Sequence, residues 1–201
     1  VGAIESPFGV DRWTFSAAAG QQIRFDLTAS NSSDLRFTLT GPDGYIGFSA
    51  IAGDSALLTL PSTGQYVLAA SALGSSTGQY GFAIVQTEVI GLDIGSPISV
   101  VHAGSGSARL FKIDVTGSTP LLVRLDDSNN GNRNEMYIRY GQAPTQSEYD
   151  LRYTLASSAD QSLIINNAQP GEWYVLVYGR SVPTASTITI EAVGAPVVVI
   201  D

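Results

Sequence analysis

The stretch Gly171-Glu172-Trp173-Tyr174-Val175-Leu176-Val177-Tyr178-Gly179 decides how the rest of the chain is read. A glycine ahead of an aromatic and β-branched run delivers the chain from a tight turn into a buried strand. The pattern recurs in weaker form as Gly64-Gln65-Tyr66-Val67-Leu68-Ala69-Ala70. Both copies are approached alike, by an apolar run (Leu58-Thr59-Leu60 or Leu163-Ile164-Ile165) and a turn containing proline. Each therefore predicts the central strand of its own sheet. In the Trp173 copy, alternation sends Trp173, Val175 and Val177 to one face and Tyr174, Leu176 and Tyr178 to the other, and one set must be core.

Outward from these strands the two halves run in the same order. In the first, Asp11-Arg12-Trp13-Thr14-Phe15 and Ile23-Arg24-Phe25-Asp26-Leu27 alternate around a turn at 19–22 and predict a strand pair. A polar loop (28–34), a strand from Leu35 to Leu39, the turn Gly41-Pro42-Asp43-Gly44 and a closing strand Tyr80-Gly81-Phe82-Ala83-Ile84 complete it. The second half offers Leu110 to Val115, Leu121 to Leu125, a polar loop from Asp126 to Asn134, Met136 to Tyr140, the Trp173 strand and Ile188 to Ala192. It differs by extra residues around Pro144 to Leu155. Short strands with a turn signal every ten residues or so, and no helical periodicity over a dozen positions, predict an all-β chain of two tandem antiparallel sandwiches. The expected division is 1–90 and 91–195, at the glycine- and proline-bearing stretch 88–97. Residues 196–201, with four consecutive β-branched positions, read as the start of a linker or a further domain. Both ends lie in mid-pattern, so the expectation is a piece of a longer protein.

Composition narrows the function. Acidic residues outnumber basic ones 18 to 10, for a formal charge of -8. That excludes the basic stripe that nucleic acid or anionic lipid requires. There is no cysteine and one histidine, which excludes thiolate and ordinary zinc sites. No apolar run approaches the roughly 18 residues of a membrane helix.

The motifs Asp11-x-Trp13-x-Phe15, Ala19-Gly20-Gln21, Asp34-Leu35-x-Phe37-x-Leu39, Pro61-x-x-Gly64-x-Tyr66-Val67 and Gly78-x-Tyr80-x-Phe82, in that order, resemble the bacterial pre-peptidase C-terminal domain family. The second half is similar to a divergent branch of it through Asn134-Glu135-Met136-Tyr137-Ile138-Arg139-Tyr140-Gly141, Ala143-Pro144-Thr145 and the run from Pro170 to Gly179. The resemblance implies jelly-roll-like sandwiches in secreted or cell-surface proteins of bacteria and archaea. Such domains lie beside peptidases or in long multidomain chains and are not themselves catalytic. Some members bind substrate, as in the collagen-binding domains of clostridial collagenases, and some bind calcium; others are removed during maturation.

Candidate sites are few. His102 sits at the end of a strand without a nucleophile elbow nearby, and reads as structural. Asp126 with Asp127, and Glu148 with Asp150, could serve a glycosidase, but neither pair comes with a cleft signal. The loop Asp126-Asp127-Ser128-Asn129-Asn130-Gly131-Asn132-Arg133-Asn134-Glu135 starts like a calcium loop and then departs from the EF-hand pattern, because Glu135 comes two residues early. Two readings fit it: a calcium site of another kind, drawing on Asp126, Asp127, Asn130 and Glu135, or an Asn/Gly-rich hairpin bonding its own backbone. Tyr149 and Tyr153, with Arg139 and Arg152, form the expected exposed binding patch. The expected function is a non-catalytic extracellular spacer or accessory module, stabilised by calcium and flanked by neighbouring domains of its parent protein. The alternative is a module binding polysaccharide or a fibrous, collagen-like protein through the tyrosine-rich face. A glycosidase using Asp126 or Glu148 is the third reading.

Overall fold

The computed structural model describes residues 1–194, so the expected continuation at 196–201 lies outside the described residues. Two compact units divide the chain, the first Val1–Gln86 and the second beginning at Thr87. The first contains β1 (Gly2–Ile4), β2 (Val10–Ala17), β3 (Gln22–Ser30), β4 (Leu35–Thr40), β5 (Ile46–Ile51), β6 (Leu58–Thr59), β7 (Gly64–Ala72) and β8 (Gly78–Gln86). They form two four-stranded sheets, ordered β1-β8-β3-β6 and β2-β7-β4-β5. The Tyr66 strand is thus interior to its sheet. Period-two burial follows the sequence: along β4, Leu35, Phe37 and Leu39 are buried while Arg36, Thr38 and Thr40 are half-buried. Phe25, Phe37, Tyr66 and Tyr80 are among the largest buried side chains of this core, each contributing about 1.5–3 kcal/mol of apolar transfer.

The second unit contains β9 (Val89–Gly91), β10 (Ile98–His102), β11 (Ala108–Val115), β12 (Thr119–Asp127), β13 (Arg133–Tyr140), β14 (Leu151–Arg152), β15 (Gln161–Ala168), β16 (Gly171–Ser181) and β17 (Ser186–Gly194). Its sheets are ordered β10-β17-β12-β15 and β14-β13-β16-β11-β9. Strand for strand this is the topology of the first unit, with β16 in the place of β7 and one added strand, β9, which pairs in parallel with β11. The stretch placed at the boundary by sequence therefore supplies the edge strand of the second unit.

One local expectation is corrected. The strands on either side of the 19–22 turn do not pair: β2 bonds to β7 and β3 to β8, in different sheets. β11 and β12 separate in the same way, to β16 and β17. The turn is a crossover, pinned where the Gly20 amide donates to the Leu60 carbonyl at 2.8 Å. Alternation identifies a strand and its buried face, but both sheets bury the same kind of residue, so it does not assign the partner.

The two leading turns are built alike. Tyr66 donates its hydroxyl to the Ser62 carbonyl at 2.7 Å, and Trp173 donates its indole N–H to the Gln169 carbonyl at 3.0 Å, each four residues back. The glycine two residues before each ring leaves room for a neighbour: a Cβ on Gly64 would lie 2.6 Å from Pro42 Cγ, and one on Gly171 2.5 Å from the Tyr140 hydroxyl. Gly171 also has φ of +130°, a backbone that side chains rarely adopt.

Candidate functional site

The sheet containing β16 has two faces with different chemistry. Trp173, Val175 and Val177 point into the sandwich core with Phe111, Ile113, Met136 and Ile138. On the outer face β13 presents Glu135, Tyr137 and Arg139, in register with Tyr178, Leu176 and Tyr174 of β16. This face is not left to solvent. Tyr137 is 4% exposed and Leu176 fully buried, and the segment 141–155 supplies rings against them. Tyr149 lies 5.2 Å from Tyr137 between centroids, and Tyr153 meets Tyr137 edge-on at 5.6 Å. Offset and edge-to-face pairs of this kind favour fixed ring geometry.

Glu135 is the polar centre of this cluster and is almost wholly buried. It accepts hydrogen bonds from the Tyr137 hydroxyl (2.9 Å), the Gln146 amide (3.0 Å) and the Tyr153 hydroxyl (3.2 Å), with the Arg180 guanidinium at 3.5 Å. A buried carboxylate needs this number of donors to offset its desolvation. Burial first, and then the Glu135 charge beside it, push the Tyr137 phenol well above its ordinary value. At neutral pH Tyr137 is therefore a donor locked onto Glu135.

Of the four residues expected to bind ligand, Tyr149, Arg152 and Tyr153 are brought together. Arg152 is exposed, with its guanidinium carbon 5.8 Å from the Tyr149 ring centre. Arg139 stands apart on Glu148, at 2.8 Å. Tyr153 is anchored from below, its amide donating to the Met136 carbonyl at 2.7 Å and its hydroxyl to Glu135. The rings fasten the 141–155 segment to the sheet, and the exposed part of the patch is the Arg152 and Tyr149 rim.

The four residues expected to hold calcium do not converge. Along β12, Asp126 is exposed and Asp127 buried, so adjacent carboxylates point to opposite faces. Asn130 is exposed in the loop, and Glu135 belongs to the outer-face cluster. Asp127 is held by three protein donors: the Asn129 amide at 3.0 Å, Asn132 Nδ2 at 3.1 Å and Asn134 Nδ2 at 2.7 Å. Burial alone would raise the Asp127 carboxyl. The hydrogen bonds from the Asn129 backbone, Asn134, Asn132 and Ser186 outweigh that and hold it below the usual carboxylate range. Among the described residues, no three His, Cys, Asp or Glu side chains are grouped to hold a metal ion. The loop takes the form of the second sequence reading, a turn bonding its own backbone, with Gly131 N–H donating to Asn129 Oδ1 at 3.0 Å.

His102 is fully buried at the end of β10, over the backbone of Gly179, where a Cβ would lie 2.5 Å from Nε2. Burial, then the nearby Arg109 charge, lower its pKa against the opposing pull of Asp127. Sequence reasoning missed the asparagine ring around Asp127 and the role of Glu135 as acceptor for two tyrosines. The spacing of Glu135 and Tyr137 carried the signal, since residues two apart on a strand share a face.

No curated protein matches the chain. Among solved structures it is similar to the pre-peptidase C-terminal domain of a collagenase from Bacillus anthracis, at 14% identity over 53% of this chain and 95% of that one, with a TM-score of 0.44. It is also similar to CorA, a surface-associated copper-binding protein of Methylomicrobium album BG8, at 8% identity over 54% and 100% of the two chains, with a TM-score of 0.41. A third is PliG, a periplasmic inhibitor of g-type lysozyme from Aeromonas hydrophila, at 10% identity over 53% and 98%, with a TM-score of 0.36. The sequence model of the bacterial pre-peptidase C-terminal domain matches residues 107–179, which run from just before β11 into β16, and so one such domain is found in the second unit.

Proposed function

We propose that this chain is a non-catalytic accessory module of a secreted or cell-surface protein, in which two sandwiches of one topology act as a spacer between neighbouring domains, the first unit being a second, diverged copy of the same family. The family match at 107–179 carries this reading. It is supported by the fate of the acids in the second unit: Asp127 and Glu135 are occupied as structural acceptors, and Glu148 is paired with Arg139. A screen with peptide, ester and glycan substrates tests it, with no turnover expected. Turnover that vanishes in Asp126→Asn or Glu148→Gln overturns it in favour of a hydrolase.

A second reading, a binding module for polysaccharide or collagen-like protein, is favoured by one observation, the exposed Arg152 guanidinium against the partly open Tyr149 ring. A cation over an aromatic face can close on a sugar ring or a peptide chain. Retention on insoluble glycan or collagen that drops at least about tenfold in Tyr149→Ala, with Arg152→Ala intermediate, supports it. Retention indifferent to both substitutions removes this surface.

A further inference from the structure

In the first unit, the sheet β1-β8-β3-β6 carries a cleft on its outer face. Tyr80 is buried in the core, so Gln79 and Gly81 on either side of it face outward, with their cross-strand partners Ala3 and Ala29. Two open cavities lie there, of about 320 Å³ and about 250 Å³, and they meet at Asn31 and Gln79, which line both. Thr28 lines the first, and Thr77 and Glu5 the second.

The second unit fills the same place. Its equivalent positions follow from a shared clamp. The Asn31 amide donates to the Gln79 carbonyl at 3.2 Å and the Gln79 amide to Asn31 Oδ1 at 2.7 Å. Likewise the Ser128 amide donates to the Thr187 carbonyl at 2.9 Å and the Thr187 amide to Ser128 Oγ at 3.1 Å. Two residues beyond Gln79 and Thr187, Gly81 pairs with Ala29 and Thr189 with Asp126. Glycine and alanine thus stand where the second unit has threonine and aspartate, and the Thr189 hydroxyl lies 2.8 Å from that of Ser99. β3 also has a bulge between Leu27 and Ala29, whereas β12 runs against β17 unbroken from Leu121 to Asp127. The bulge sets Thr28 over the glycine, since a Cβ on Gly81 would lie 3.0 Å from Thr28 Oγ1.

The polar groups define what the cleft can hold. Where the second clamp has a serine, Asn31 keeps the acceptor and adds an amide nitrogen. Its Oδ1 is held by the Gln79 amide, and its Nδ2 has no partner among the described residues. The Gln79 side chain is exposed beside it. Two amides with the Thr28 and Thr77 hydroxyls donate and accept at close spacing, as adjacent sugar hydroxyls do in return. No lysine, arginine or histidine side chain lines either cavity and Glu5 lines one, which disfavours an anionic ligand. The Tyr80 ring is turned inward onto Phe37 and Phe82, leaving a floor of glycine and alanine on which the C–H face of a ring can lie.

We propose that this cleft is a binding site for a neutral oligosaccharide, recognised by Asn31 and Gln79 where the two cavities meet. It is separate from the Tyr149 and Arg152 rim of the second unit. Titration of the 201-residue chain with neutral gluco-, xylo- and N-acetylglucosamine oligosaccharides tests it, with backbone amides followed by NMR. Concentrations up to about 10 mM are needed, because an open cleft with few polar contacts binds weakly. At least one series should shift the amides of 28–31 and 77–81 saturably. Asn31→Ser, which keeps the clamp as the second unit makes it, and Gln79→Ala should each weaken binding at least about fivefold. Gly81→Ala should abolish it by placing a methyl under Thr28, and Tyr149→Ala should leave it unchanged. Amides outside the cleft report that each variant is folded. The proposal is overturned if none of the three series shifts these amides, if galacturonate oligomers shift them as strongly, or if Asn31→Ser and Gln79→Ala bind as the parent does. Shifts confined to the second unit and lost in Tyr149→Ala would overturn it in favour of the rim.

Discussion

The outer faces of the two central sheets occupy the same place in the same topology and have opposite character. In the first unit, β4 and β7 turn Thr38 and Ala69 outward, and both are only half-buried. The counterparts in the second unit are Tyr137 and Leu176, at 4% and 0% exposure. A sandwich needs one buried face per sheet, and Phe37 and Leu68 or Met136 and Val175 meet that need in either unit. The second unit buries both faces because the 141–155 segment returns over the sheet, and that return is held by tyrosine rings and one buried glutamate. The difference lies in a single connection, between β4 and β5 in one unit and between β13 and β14 in the other. Burial on the outer face is thus a property of that connection, added to a common core.

This difference is broken most severely at Tyr137. Tyr137→Ala removes the ring that both Tyr149 and Tyr153 pack on and leaves Glu135 short of a donor. The expected cost is about 3–5 kcal/mol in the second unit. The equivalent change in the first unit, Thr38→Ala, removes only the acceptor of the Ala50 amide at 3.0 Å, worth about 1 kcal/mol. Hydrogen exchange of the β16 and β7 amides reads the two units separately. Equal losses in the two units would show that the outer-face cluster carries no stability.

At one matched inner-face position an apolar residue is replaced by a polar one, Leu35 in β4 and Asn134 in β13. Leu35 fills core, whereas Asn134 donates to Asp127 Oδ2 and to the Ala159 carbonyl. Giving the second unit the residue of the first, Asn134→Leu, supplies apolar volume and strips a donor from a buried carboxylate. A loss of about 2–3 kcal/mol follows, because the unsatisfied charge outweighs the added burial. The double change Asp127→Leu with Asn134→Leu should recover part of that loss. No recovery would mean that Asp127 was not the cause.

How far these differences could be read from sequence depends on their range. The central strands, the alternation of Trp173 and Tyr174, and the extra residues in the second half are local patterns and were legible. The family resemblance rested on motifs fuller in the first half, while the family match lies at 107–179. That Tyr149 and Tyr153 converge was also legible, as aromatic residues four apart in an insertion. What they converge on was not, because Glu135 reaches them through a strand pairing and a loop return that no spacing encodes. The placement of the loop acids was not legible for the same reason. Asp126 and Glu135 share a loop in sequence, but strand alternation turns neighbouring acids to opposite faces, and the asparagines of the loop turned out to be donors to Asp127.

Acid should separate the two units next. His102 is buried in the second unit with its pKa lowered by burial, and the first unit has no histidine. The unfolded chain takes up a proton near the ordinary histidine value of about 6.5, which the folded unit refuses until a lower pH. Stability contributed by neutral burial is therefore intact above that value and declines as pH falls below it. Asp127, also lowered, acts in the same direction at more acid pH, where the unfolded carboxylate protonates first. Opening of β16 should become easier between pH 7 and 5 while β7 is unchanged, and His102→Leu should flatten that slope. A parallel decline in both units would assign the effect to net charge.

Calcium should produce the smallest effect, and a null result is informative here. An ion bound only by the folded state raises the melting midpoint by mass action. In this chain the two buried carboxylates nearest the Asn-rich loop are already heavily engaged: Asp127 accepts from three nitrogen donors, and Glu135 from two phenols and an amide. To bind either, calcium would have to displace donors already in place, and the exposed Asp126 offers one carboxylate facing the other way. Millimolar calcium, and then chelator, should leave the midpoint within about 1 °C, a shift below roughly 0.3 kcal/mol for a unit of this size. A rise of several degrees that Asp126→Asn abolishes would return the metal to that loop and require its asparagines to rearrange. The same titration on Asn134→Leu sharpens the point, since an Asp127 stripped of a donor is the form of this protein in which calcium has most to gain.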